Sequence, residues 1–186
     1  MSVRPLAGAL AGVALAVVAC SDPFANQPQI AVATDSLALY AMTGTPAALP
    51  SALNMLAFQP VRMDGASEFD LAFDLDDAGN VIIYPVALVT VAQFRVGLRD
   101  TSAAFEEVAE APRGTYAFEE PLVVPIGRTV IVEAQSSICQ FGLSPFIYAR
   151  LVVYAVDEAQ RRISMALTVN PNCGFRTFLA EETPEN

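Results

Sequence analysis

The sequence predicts a mainly β protein, an antiparallel β-sandwich or open barrel with one short helix. Three observations predict it. Apolar and polar residues alternate at period two along most of the chain, turn formers recur at short intervals, and one stretch alone carries helical spacing. Many short strands with frequent turns fit a two-layer or closed β architecture.

Residues 30–34 and 37–42 read as a first strand or a bent pair. Pro46 and Pro50 mark the loop after it, and the apolar segment 52–58 fits either a strand or a helical turn. The clearest strand spans 68–75. Phe69, Leu71, Phe73 and Leu75 share one face, expected to be core. Glu68, Asp70, Ala72 and Asp74 share the other, expected to face water. The run Asp76-Asp77-Ala78-Gly79-Asn80 supplies a turn, and 81–89 returns as the partner strand. Pro85 donates no ladder hydrogen bond, which assigns it to an edge strand or a bulge. A further strand at 93–99 alternates Phe94, Val96 and Leu98 with Arg95 and Arg99.

Residues 101–111 carry the helical spacing. Asp100, Thr101 or Ser102 can cap the start, Phe105, Val108 and Ala109 share a face, and Glu106 and Glu107 suit the first turn. Pro112 and Gly114 stop it. Strands resume at 115–119, 122–125 and 129–133, the last two joined through Ile126, Gly127 and Arg128. In 146–156 the odd positions Ile147, Ala149, Leu151, Val153 and Ala155 are apolar, and in 161–169 Ile163, Met165, Leu167 and Val169 are too. For both apolar faces to point the same way odd must pair with odd, which predicts a loop of odd length such as Glu158-Ala159-Gln160. The folded domain is expected over residues 29–180, with 181–186 a frayed tail.

The first nineteen residues have a different grammar. Arg4 is the single charge of a short n-region, and residues 6–18 are apolar and Ala-rich, which is the layout of an export signal. The run is shorter than the roughly 20 apolar residues that span a bilayer. It ends in Val17-Val18-Ala19-Cys20, which resembles the lipobox of bacterial lipoproteins. The resemblance implies cleavage before Cys20, a diacylglyceryl group on its thiol and acylation of the new amine. Residues 20–28 then form a lipidated N-terminus and short tether. Each buried methylene contributes roughly 0.8 kcal/mol, and two or more chains give stable anchoring. Ser21 in place of Asp after the cysteine points to the outer rather than the inner membrane of the cell envelope.

Composition excludes more than it assigns. All ten basic residues are Arg and there is no His, Lys or Trp. Without His and Lys there is no Ser-His-Asp or Cys-His catalysis, no Schiff base and no P-loop lysine. Residues 20–186 carry 9 Arg against 20 Asp plus Glu, a net charge of −11. Such a domain is not expected to bind nucleic acid, whose affinity rests on basic side chains against phosphate.

Three features remain as candidates. Cys139 and Cys173 are the two cysteines left once Cys20 is lipidated, and in an exported protein they are expected to form a disulfide. Asp74, Asp76, Asp77 and Asn80, with Glu68 and Asp70 nearby, are oxygen donors for Ca²⁺, although Ala78 and Pro85 break an EF-hand pattern. Phe175 and Arg176 follow the turn-rich Asn170-Pro171-Asn172-Cys173-Gly174 run and are candidates for contact with a partner. The expected role is a membrane-anchored, non-catalytic binding or structural domain with no cofactor, held to lipid by acylated Cys20 and engaging a protein partner in the envelope. The rivals are a carboxylate-dependent hydrolase and a Ca²⁺-dependent adhesion module.

Overall fold

Period-two alternation is satisfied by two antiparallel sheets stacked on one apolar core. The computed structural model describes residues 27–65, 68–142 and 144–179. The leader, Cys20, residues 21–26 of the tether and the 181–186 tail lie outside the described residues. The strands are β1 (Ala33–Tyr40), β2 (Ala52–Asn54), β3 (Gln59–Val61), β4 (Leu71–Leu75), β5 (Val81–Pro85), β6 (Val96–Thr101), β7 (Leu122–Val124), β8 (Thr129–Gln135), β9 (Phe146–Asp157) and β10 (Arg162–Asn170). One sheet has the order β1-β10-β9-β8-β6, the other β3-β2-β4-β5-β7. Each keeps two free edges, so the fold is a sandwich and not a closed barrel.

The core sits between the sheets. Leu39, Leu151, Ile163 and Leu167 of the first sheet meet Leu53, Leu71, Phe73 and Ile83 of the second, all fully buried. At roughly 1.5–3 kcal/mol for each large apolar side chain removed from water, this layer dominates the fold. Segment 52–58 resolves into β2 and the turn after it, which returns the chain to pair as β3.

The β9–β10 pairing is odd with odd away from the turn, as the alternation requires: Leu167 faces Leu151 and Val169 faces Ala149. The loop, however, has four residues, 158–161, and Arg162 starts the ladder opposite Asp157. A bulge corrects the register. Ser164 pairs with Ala155 and Met165 with Val153, so Tyr154 is the extra residue and the apolar faces realign beyond it. Pro85 is neither on an edge strand nor in a bulge. It ends β5 beyond the last pairing with β7, Ile83 to Leu122, where no ladder donor is required.

The expected helix at 101–111 is a single 3₁₀ turn, Phe105–Glu107. Phe105 and Val108 do turn inward together, but tertiary partners take the backbone groups a helix would use. Ala111 N–H donates to Arg176 O at 2.8 Å, Phe178 N–H to Ala109 O at 2.8 Å, and the carbonyls of Phe105 and Val108 accept from Arg150. Segment 115–119 likewise forms an isolated bridge, Ala117 to Leu98, and not a strand.

Neither sheet leaves its outer face bare. Val108, Ala111 and Phe178 cover Ile131 and Tyr148 on the first. Met42, Met63 and Val89 cover Ala52, Ala72 and Val61 on the second. The face of β4 expected to meet water is therefore buried, and all five of its residues are inside. One side-chain polar atom among the described residues is buried without a partner, Thr129 Oγ1, on a fully buried residue. An unpaired buried hydroxyl is destabilising, so Thr129→Val, which keeps the shape, is expected to raise unfolding free energy by about 1 kcal/mol. Urea denaturation checks this, and a loss of stability would mean that the hydroxyl has a partner.

Candidate functional site

The sandwich has two unlike ends. At one, the β4–β5 and β9–β10 hairpins are tied together. Arg161 Nη2 donates to Asp74 Oδ1 at 3.2 Å and to Leu75 O at 3.0 Å, and its Nε donates to Thr43 O at 2.7 Å. Asp74 Oδ1 also accepts from Thr43 Oγ1 at 2.9 Å and from the Leu75 N–H at 2.8 Å. Of the candidate Ca²⁺ donors, Asp74 and Asp76 are thus spent on protein. Asp74 is buried against Arg161. Asp76 Oδ1 accepts from the N–H groups of Ala78 and Asn80 at 2.9 and 2.8 Å, and its Oδ2 from Asn80 Nδ2 at 2.9 Å. These bonds, the Asn80 side chain first, hold the Asp76 carboxyl below its ordinary value. Asp77 is exposed. Asp76 and Asn80 close the hairpin turn, and among the described residues no group of three or more acidic or cysteine side chains converges as a metal site.

The other end opens into a cleft of about 370 Å³. Asn54 of β2 and the segment Glu68, Phe69 and Asp70 that leads into β4 form one wall, and Gln93 and Phe94 before β6 with Gln135 and Ser136 at the end of β8 form the other. The cleft forms because Asp70 lies just before β4 and Gln135 ends β8, so the two sheets run out together and only loops continue. Asp70 is set into the wall. Its Oδ2 accepts from the Met55 N–H at 2.8 Å, while its backbone N–H donates to Leu53 O at 2.9 Å. Burial pushes the Asp70 carboxyl above its ordinary value, the Met55 N–H opposes this, and neighbouring Glu68 adds to it.

A carboxyl raised in the folded state favours folding while it is protonated. That contribution is complete below the ordinary Asp value, about 3.9, and is lost as pH rises through the raised one. Asp70→Asn stays neutral, and its Oδ1 can still accept from Met55. The variant is expected to melt above the wild type at pH 7, with a flatter dependence of Tm on pH above about 4. A variant that melts below the wild type at pH 7 would show that the charge is favourably held.

Cys139 and Cys173 are bonded, with Cα atoms 5.5 Å apart. Arg176, expected to face a partner, is turned inward. Its Nε donates to Ala111 O at 2.6 Å, and its Nη2 pairs with Glu110 at 2.6 Å, clipping the C-terminal segment to the 109–111 segment. Phe175 is half-buried beside it. The physical reason is shared: the post-Cys173 run is a pairing partner of the loop that covers the outer face.

Sequence reasoning misplaced two acids, Asp74 and Asp70, and passed over one base. Asp70 belongs to a cleft and not to a solvated face, and nothing in its alternation signals this. Arg150 is buried on the outer face of β9. Its Nη1 donates to Phe105 O at 2.5 Å and Val108 O at 2.7 Å, its Nε to Thr168 Oγ1 at 3.3 Å, and its guanidinium lies 4.5 Å from the Phe105 ring. Burial holds it below the ordinary arginine value. Nearby, Tyr148 donates to Glu133 Oε2 at 3.0 Å, and burial, then that bond, pushes its phenol up to about 12. Both are structural fixtures, protonated at neutral pH. No family model matches the chain, and no curated protein or solved structure matches it.

Proposed function

We propose that this chain is a lipid-anchored lipoprotein of the bacterial envelope whose β-sandwich is a non-catalytic binding module, with the end cleft as the ligand seat. The observation that carries the binding role is the cleft itself. It sets one partly desolvated carboxyl, Asp70, among the amides of Asn54, Gln93 and Gln135, the Ser136 residue and the rings of Phe69 and Phe94. Few polar groups on a partly apolar wall orient a small ligand. This set suits one with a cationic or hydrogen-bond-donating group over an apolar body.

The anchor rests on Val17-Val18-Ala19-Cys20, and the Cys139–Cys173 bond agrees with an exported, oxidising setting. Ser21 favours the outer membrane. A net charge of −11 over residues 20–186 argues for ligands and protein partners in the envelope over nucleic acid.

Mass spectrometry of the envelope-extracted protein tests the anchor. An acylated Cys20 as first residue is expected, and an intact leader removes the reading. The chain has no Trp, so Phe94→Trp places a single reporter in the cleft. Titration with fractionated soluble envelope components is expected to give a saturable emission change that Asp70→Asn abolishes. An unresponsive reporter across all fractions defeats the binding role.

A carboxylate-dependent hydrolase is the second reading, favoured by Glu68 and Asp70 sharing the cleft with Asp70 raised. Turnover of envelope glycans or simple esters, lost in both Glu68→Gln and Asp70→Asn, would put it first.

A further inference from the structure

We infer that the end of the sandwich where the tether enters is seated on the lipid surface, through an uncharged apolar cap built around the Cys139–Cys173 bond. The inference rests on the lipid-anchor reading and adds to it the face that meets the membrane.

The cap is assembled from three segments. Asn172 fixes the tether's end: its Oδ1 accepts from the N–H groups of Gln29 and Ile30 at 2.7 and 2.9 Å, and its Nδ2 donates to Ile30 O at 2.6 Å. The next residue, Cys173, is bonded to Cys139 in the 3₁₀ turn Ser137–Cys139. The Gly174 N–H donates to Phe146 O at 2.8 Å, and Ser136 N–H to Pro145 O at 3.0 Å, closing the loop between β8 and β9 against the same spot. Residues 27–34, 134–142, 144–149 and 163–175 carry no charged residue, in a chain with 10 basic and 20 acidic ones. Where they converge, Ile30 is 54% exposed, Ile138 54% and Phe141 93%.

Distance and charge together select the lipid surface as the occupant. From Cys20 to Gln27 the chain extends at most about 25 Å, at roughly 3.5 Å per residue. The headgroups must lie within that reach of the cap. The opposite end is about 36 Å away along the eleven steps of β9, at ~3.3 Å each. That end carries Asp76, Asp77, Asp157, Glu158 and Arg162, side chains that are costly to bring against hydrocarbon. Glu68 and Asp70 line the cleft at this same end from the other sheet, so the acidic domain approaches lipid through the uncharged cap on the first sheet, and apolar side chains held out by a cross-linked loop enter the headgroup boundary. The turn that presents Ile138 also lends Ser136 and Ser137 to the cleft, so seat and cleft share one end.

The test uses the acylated protein extracted from its envelope and reconstituted into phosphatidylcholine vesicles, with and without brominated acyl chains. Phe141→Trp supplies a single fluorophore at a side chain so exposed that folding does not depend on it. Its emission is expected to shift to the blue and to be quenched by the brominated chains. Tyr154→Trp, near the far end of β9, is expected to keep the emission of a water-exposed indole and to escape quenching. Mass spectrometry of the same samples reads Cys20. Acylated protein in which both reporters behave alike overturns the lipid seat and spares the anchor, whereas an unacylated Cys20 removes both. A blue shift that follows protein density in the vesicles and ignores bromine means that copies of the chain pack on the cap, which also overturns the seat.

Discussion

Replacing Cys139 and Cys173 together by Ala is expected to lower the unfolding free energy by about 4 kcal/mol. The bond closes a loop with a sequence separation of 34. In the chain-entropy model, a loop of that length removes about 13 cal/mol/K from the unfolded ensemble, or about 4 kcal/mol at 25 °C. For a domain of this size that is a fall in Tm of about 10 °C. The effect should be as large on adding reductant to the wild type, because Cys139 is buried and its environment is otherwise unchanged. Denaturation followed by circular dichroism, oxidised against reduced, checks it. A loss under about 1 kcal/mol would mean that the unfolded chain already holds these segments together. Reduction should also loosen the β8–β9 loop selectively, with faster amide exchange at residues 137–142 before the sheets exchange.

Arg150→Met is expected to cost about 3–5 kcal/mol, although it replaces a charge by an apolar side chain of similar length. Among the described residues Arg150 has no carboxylate within salt-bridge distance; its guanidinium is satisfied by two carbonyls, one hydroxyl and two rings, Phe105 at 4.5 Å and Phe178 at 5.5 Å. Removing it orphans the Phe105 and Val108 carbonyls under the loop, at about 1–3 kcal/mol each, and forfeits the ring contacts. Arg150→Lys should recover little, since one ammonium cannot imitate the planar fork that reaches both carbonyls. Chemical denaturation of the three proteins checks the order. Arg150→Met matching the wild type would show that water replaces the guanidinium without penalty. The 101–111 segment should become protease-sensitive in the variant, because Arg150 is what holds its carbonyls to the sheet.

The contrast between β9–β10 and β4 shows what was legible. The parity of Ala149 to Val153 and of Met165 to Val169 indicated which residues face each other, and the structure keeps it beyond a bulge at Tyr154, whereas on the turn side Ile163 faces Val156 and Ala155 is exposed. In β4, the same alternation pointed Phe73 to the core correctly and left Asp74 in water wrongly. Alternation reports the two faces of a strand but not what lies over each. Arg161, 87 residues away, covers Asp74. The 101–111 segment failed for a related reason. Its Phe105 and Val108 spacing is real, yet the backbone follows the stronger claims of Arg150 and of the strand-like 176–178 segment.

The cleft lay further from view. Glu68 and Asp70 were visible as acids, Gln135 and Ser136 as a strand end, and no local pattern joins residues whose nearness depends on where two separate sheets run out.

The sequence by itself determined the β class and, beyond the bulge, the core faces of the long hairpin, both of which follow from a short-range periodicity; the Cys139–Cys173 bond was expected only through the lipobox resemblance that sets Cys20 aside, and the structure shows it. Tertiary structure alone decided which polar residues went inside, that Asp70 borders a cleft, that Arg150 pins a loop, and that uncharged segments meet at the tether. Each of those depends on what packs across a sheet face, and contacts between residues tens of positions apart leave no local imprint on the chain.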